Sequence, residues 1–215
     1  MKKIRIFPVF LLLVALAPLP GCIPVVAVGA GAGAAIGYED RRTAGTMVED
    51  EGIELRFSNR VSERFGDKVH VNMTSYNRSV LLTGEVPDDK IKAEIEKIAQ
   101  AVSNVRGVTS DLQVGPASSF SSRAGDSGIT GKVKARFIDS GKFSVIHVKV
   151  VTEASVVYLL GWVTEAEANN AVEIARTTGG VRKVVKVFEY CKDTDPVCAP
   201  RAKPKADEPK KDAKK

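Results

Sequence analysis

Val80-Leu81-Leu82-Thr83-Gly84-Glu85-Val86 recurs, 77 residues further along the chain, as Val157-Tyr158-Leu159-Leu160-Gly161-Trp162-Val163. The match extends outward on both sides. His70-Val71 aligns with His147-Val148, Ile98-Ala99 with Ile174-Ala175, and Val105-Arg106-Gly107-Val108 with Val181-Arg182-Lys183-Val184. The offset falls from 77 to 76 after the central strands, so one residue separates the two copies in length there. A small module present twice points to a binding or scaffolding protein, since enzymes more often build one asymmetric cleft.

Within the first copy, Ile53, Phe57 and Val61 recur every fourth residue over 50–65, followed by Phe65, which predicts a helix. Asp50 is placed to cap it and Gly66 to stop it. Residues 68–74 alternate, with Val69, Val71 and Met73 on one side and His70, Asn72 and Thr74 on a polar side, as in a half-buried strand. Tyr76-Asn77-Arg78-Ser79 reads as a turn into a more apolar strand over 80–86, making an antiparallel hairpin. Pro87-Asp88-Asp89 opens a second helix whose buried stripe is Ile91, Ile95, Ile98 and Val102. Residues 107–114 form a last strand. In the second copy, a helix carrying Ile129, Val133 and Phe137 follows Asp126 and ends at Gly141. Strands over 144–153 and 155–163, a helix over 165–177 and a strand over 181–190 complete it. The expected fold is α+β: two tandem αββαβ modules, each a small three-stranded mixed sheet packed on two helices. The modules occupy residues 48–115 and 126–190, joined by the Ser/Gly-rich linker 116–125.

The start of the chain reads as an export signal over residues 1–21. Lys2, Lys3 and Arg5 precede an apolar run over 6–19, shorter than the roughly 20 residues that span a bilayer. It ends at Leu19-Pro20-Gly21-Cys22, which resembles a bacterial lipobox, so Cys22 is the expected lipid-bearing first residue, with palmitate among its acyl chains. Ile23 rather than Asp after the cysteine implies sorting to the outer membrane. Each buried methylene of an acyl chain contributes roughly 0.8 kcal/mol, so several chains anchor durably. Residues 22–47 then form the anchor and a Gly/Ala-rich tether. Gly29, Gly31 and Ala34 match a dinucleotide fingerprint only formally, because no βαβ unit surrounds them. Export permits disulfides, and Cys191 and Cys198 are expected to pair locally; a metal site would need further ligands, and neither histidine is near them in sequence. Residues 191–215 end in a Lys/Pro-rich stretch with no apolar core residues, expected to be disordered.

The formal charge of +6 is misleading about the body of the protein. Three positive charges lie in the signal and a net four in the stretch from Ala199, which leaves the remainder near −1. A nucleic-acid partner is therefore not expected. Residues 48–115 carry −3 and residues 124–190 carry +2, so the copies have divided their roles. His70 and His147 are the only histidines and occupy matching positions; with no nucleophile elbow, paired carboxylates or metal spacing nearby, no catalytic residue, metal or cofactor is assigned. Gly84 and Gly161 are read as structural, marking a bulge or a close approach of backbone.

The αββαβ order, the glycine after a Val/Leu-rich strand (Gly84, Gly161), the valine two residues later (Val86, Val163) and the V-x-x-V run into the last strand are similar to the BON domain. Lipobox, small-residue tether and two such modules together resemble the dual-BON outer-membrane lipoproteins of Gram-negative bacteria. The resemblance implies a non-enzymatic, lipid-anchored protein facing the periplasm that supports outer-membrane integrity. It implies membrane and anionic phospholipid as partners of the first helix of module 2, here Ile129, Lys132, Lys134 and Arg136. An adaptor role for outer-membrane assembly proteins, through the acidic module 1, is the alternative. The family's exposed aromatic before the module 2 helix is missing: Ser127-Gly128 stands there, and Trp162 is the only tryptophan.

Overall fold

The computed structural model describes residues 40–199. The export signal, Cys22, the tether up to residue 39 and residues 200–215 lie outside the described residues. Module 1 comprises α1 (Ala44–Phe65), β1 (His70–Tyr76), β2 (Ser79–Val86), α2 (Asp89–Gln100), β3 (Gly107–Ser110) and β4 (Gln113–Val114). Module 2 comprises α3 (Phe120–Ser140), a 3₁₀ turn (Val145–His147), β5 (Lys149–Glu153), β6 (Val156–Val163), α4 (Glu165–Arg176) and β7 (Lys183–Tyr190). In each module a hairpin is antiparallel and the last strand joins the central one in parallel, which is the expected mixed sheet. In module 1 the last strand is broken. Both β3 and β4 pair with β2, and Leu112 between them turns into the core at 1% exposure.

The helical stripes bury as their spacing predicts. Ile53, Phe57, Val61 and Phe65 meet Met73, Val80, Leu82, Val86 and Ile95 in one core. Ile129, Val133 and Phe137 meet Val150, Val157, Leu159 and Ile174 in the other. Ile95 and Val102 are fully enclosed, whereas Ile91 and Ile98 border the core.

Both first helices begin earlier than their sequence suggests. Thr43 caps α1 and Ser119 caps α3, each hydroxyl accepting from the backbone N–H three residues on. Six residues of the expected linker, 120–125, are therefore helical. Asp50 and Asp126 are not caps but buried helical residues, and their carboxylates do another job. Asp50 accepts from the backbone N–H of Asn77 (2.9 Å) and Arg78 (2.7 Å) and from the Ser75 hydroxyl (2.7 Å). Asp126 accepts from the N–H of Ala154 (3.0 Å) and Ser155 (2.8 Å). These are the two-residue hairpin turns, and all four residues have positive φ. Such turns favour Asn or Gly, so a carboxylate behind the turn offsets the cost of Arg, Ala and Ser there.

The polar side of β1 faces water only at its start: Asn72 is exposed, whereas Thr74 and Tyr76 are buried. Tyr76 and Leu81 of module 1 pack on Tyr158 and Leu160 of module 2, with Val151, Val156, Trp162, Val185 and Val187 around them. The faces of the two sheets that carry no helices thus bury each other, and the layers run helices, sheet, sheet, helices. Polar contacts fringe this seam: Tyr158 Oη donates to Asp111 (2.7 Å), Asn77 Nδ2 and the Ser79 hydroxyl to Glu189 (2.8 and 3.1 Å), and Lys149 Nζ to Glu54 (2.9 Å). Burial, the hydrogen bond to Asp111 and its charge all push the Tyr158 hydroxyl upward in pKa.

Candidate functional site

Helix α3 has one face in the core and one in solvent. Ile129 is enclosed in the module 2 core, which removes it from any headgroup-facing surface: it falls in line with Val133 and Phe137 on the inward stripe. Arg136 is committed to structure, its Nη1 donating to the Ile174 carbonyl (2.8 Å) and the Thr178 hydroxyl (2.7 Å). Lys132 and Lys134 are exposed and make no ion pair among the described residues. Between them the outward face is made of small residues, Ala124, Gly128, Gly131 and Ala135, all exposed. It is bracketed by Phe120, 81% exposed, and Ile138, 65% exposed. These two are 18 residues apart, five turns at 3.6 residues per turn, so they project from the same side about 27 Å apart. Phe120 supplies an exposed aromatic that the sequence reading missed, because residues 116–125 read as linker.

The two ends of the seam differ. At one end Arg41, only 8% exposed although it precedes α1, grips module 2. Its Nη1 donates to the Trp162 carbonyl (2.7 Å) and Glu167 Oε2 (2.6 Å), and its Nη2 to Glu167 Oε1 (3.0 Å). Glu167 also meets His147 Nδ1 (3.0 Å) and accepts from the Thr164 N–H (2.9 Å) in the capping box of α4. Burial pushes the Glu167 carboxyl up, but the hydrogen bonds from His147, Arg41 and Thr164 outweigh it and lower the pKa to about 2. Arg42 stacks over the Tyr76 ring at 4.2 Å and bonds Asp40 and Asp50. Burial, reinforced by the charge of Asp40, pushes the Tyr76 hydroxyl up to about 12.

At the other end His70, Glu85 and Glu153 converge, each offering a ligand-type atom within 4.8 Å of the others. Glu153 Oε2 accepts from Asn72 Nδ2 (3.1 Å), and Glu85 Oε2 from the Ser118 N–H (3.0 Å). His70 Nε2 lies 3.8 Å from Glu153 Oε1, and His70 Nδ1 is 3.3 Å from Arg123 Nη1. Burial raises the Glu153 pKa; Asn72 and His70 oppose this, and the charges of Glu85 and Asp126 add to it. No local spacing reveals this cluster, since Glu153 comes from the other module.

Gly84 and Gly161 answer to one geometric need. A Cβ at Gly84 would overlap the His70 carbonyl oxygen, and one at Gly161 the His147 carbonyl oxygen. Gly84 also holds φ at 115°. In each copy the histidine carbonyl thus occupies the space that a side chain on the glycine would need. Cys191 and Cys198 are joined as a disulfide with Cα atoms 6.2 Å apart, closing the segment after β7.

With this arrangement described, comparison with known proteins identifies the class. The model for the BON domain matches residues 50–116 and 125–192. The chain is 40% identical over 174 residues to Outer membrane lipoprotein DolP of Haemophilus influenzae (strain ATCC 51907 / DSM 11121 / KW20 / Rd), covering 80% of this chain and 90% of that protein. It is 31% identical to the 21 kDa hemolysin of Actinobacillus pleuropneumoniae (70% of this chain, 79% of the relative). It is 28% identical to Osmotically-inducible protein Y of Escherichia coli (strain K12) (65% and 72%). The chain belongs to the BON-domain family, as a dual-BON outer-membrane lipoprotein of the DolP type. No helix among the described residues is long and apolar enough to cross a membrane.

Proposed function

We propose that the protein, anchored through Cys22 on the periplasmic side of the outer membrane, binds anionic phospholipid with the outward face of α3 and so supports outer-membrane integrity. The observation that carries this reading is the pairing of two exposed apolar residues, Phe120 and Ile138, on one helical face with the unpaired Lys132 and Lys134 beside them. The small residues between let the helix axis approach a headgroup layer closely. A lysine near an anionic surface is worth about 1 kcal/mol, and each apolar side chain that enters the interface adds to it. The lysine contribution is absent on a neutral bilayer and screened in high salt, whereas the apolar one remains.

The full chain should co-sediment with phosphatidylglycerol vesicles in low salt and much less with phosphatidylcholine. Reversing both charges (Lys132→Glu with Lys134→Glu) should weaken binding by at least tenfold, on roughly 1 kcal/mol per charge. Phe120→Ser should weaken it at all salt concentrations, since its contribution is apolar. Equal binding to both vesicle types, or binding indifferent to all three changes, would reject the reading. The function would then pass to module 1 as a protein adaptor. There, Glu51, Glu54 and Leu55 of α1 face Val71 and Met73 of the edge strand β1 across a groove of about 380 Å³. Leu55 is 62% exposed in it, which favours a basic, partly apolar segment of a partner.

A further inference from the structure

The duplication supplies its own control for the two ends of the seam. Counterparts, at an offset of 77, occupy matching places in the central strands: His70 and His147, Glu85 and Trp162, Tyr76 and Glu153. At the Arg41 end the counterparts are aromatic. Trp162 and Tyr76 join the apolar cluster of the seam, and Arg41 closes it against Glu167. At the other end both aromatic places hold glutamates, and neither Glu85 nor Glu153 is in an ion pair with a lysine or arginine among the described residues. The Glu153 side chain is nine-tenths buried, and among the described residues its Oε1 accepts no hydrogen bond although Oε2 is fixed by Asn72. Each carboxylate has one oxygen held by a hydrogen bond, Glu153 turns its other oxygen toward an imidazole nitrogen, and Glu85 offers an oxygen within 4.8 Å of both, an arrangement of metal ligands with outer partners in place.

We propose that His70 and Glu85 of module 1 and Glu153 of module 2 form a site for a divalent transition-metal ion of the Zn²⁺ type, which ties the modules together. One imidazole nitrogen and two carboxylate oxygens favour such an ion over Mg²⁺, and water completes the coordination. His70 Nε2 and Glu153 Oε1 are already 3.8 Å apart, and all three ligand atoms lie within 4.8 Å of one another. Arg123 competes with the ion. Its guanidinium can only donate and lies 3.3 Å from His70 Nδ1, while the Asn72 amide nitrogen, also a donor, lies 3.4 Å from Nε2, the nitrogen that faces Glu153. A metal on Nε2 requires the ring proton on Nδ1, which turns the half-buried Arg123 away.

The test is titration of the full chain, in detergent and stripped with chelator, with ZnCl₂ near pH 7.5. We expect one saturable site per chain and a melting temperature that rises with Zn²⁺. His70→Ala, Glu85→Gln and Glu153→Gln should each weaken binding at least about tenfold, the scale seen even for outer-shell partners. Arg123→Gln should tighten it, a gain that a merely structural arginine would not produce. Because the chain has two histidines, ring proton resonances give a readout independent of variant folding: Zn²⁺ should move the His70 signals and leave those of His147 in place. Binding that survives His70→Ala unchanged, Zn²⁺ shifts on His147 alone, or absence of saturable binding would each overturn the proposal.

Discussion

At the scale of single residues, the repeated glycine and the repeated aspartate answer to backbone geometry. The hairpin partner of Gly84 runs so close that the His70 carbonyl occupies the volume a methyl group would need. Gly84→Ala must therefore push β1 and β2 apart while holding an alanine at φ near 115°, and we expect a loss of roughly 2–4 kcal/mol. Urea unfolding of the full chain measures it. A midpoint within error of the native protein would show that the strands yield and that the glycine is not required. Asp50 and Asp126 carry the complementary lesson: the sequence marks Asp50 as a cap and Asp126 as the residue before a helix, yet both lie buried within their helices. A carboxylate one turn before an apolar stripe looks like a cap in sequence. That it turns inward to hold two positive-φ turn residues is visible only once the hairpin lies on the helix.

At the scale of elements, the segment before each first helix matters as much as the helices. Arg41 fixes the chain onto α4 through Glu167, whose carboxyl is held down at about 2 from its usual 4.5. A depressed carboxylate stabilises the fold fully above its unfolded pKa and loses that contribution as pH falls through the folded one. The clasp is thus intact at pH 5 and above and fails between about 4.5 and 2. Glu167→Gln should remove this part of the acid sensitivity, so that native and variant melting temperatures converge toward pH 2 and separate above pH 5. Parallel curves would place the stabilising partner elsewhere. Helix α3 shows how far element reading reaches. Its core stripe of Ile129, Val133 and Phe137 was legible from spacing, and this assigns Ile129 to the core rather than to a lipid surface. Its first two turns were not, because Ser, Gly and Ala are equally at home in a linker; the Ser119 cap and packing decide the matter. Phe120, which the lipid-binding reading most needs, sits in those turns.

At the scale of the whole molecule, the open question is why two modules of this size are kept together. β2 and β6 are buried on both sides over most of their length, the mark of strands covered on both faces, and β6 is apolar on both. A hairpin alternating apolar and polar residues suggested water on the other side; only the fold shows the second module there instead. Leu81 and Leu160 are each 1% exposed and face the seam, outside the two helical cores. Their loss should therefore uncouple the modules while leaving each core packed. Trp162, the single tryptophan, reports module 2 at the seam, whereas far-ultraviolet circular dichroism reports both modules. In the native chain the two probes should give one coincident urea transition. A buried Leu→Ala change costs about 2–5 kcal/mol. In the Leu81→Ala, Leu160→Ala variant the coupling should fall below what binds the modules into one cooperative unit, and the fluorescence and dichroism curves should separate. Coincident curves at a lower midpoint would mean that neither module stands without the other, so that the seam belongs to the core itself; separate curves in the native chain would mean that it never coupled them.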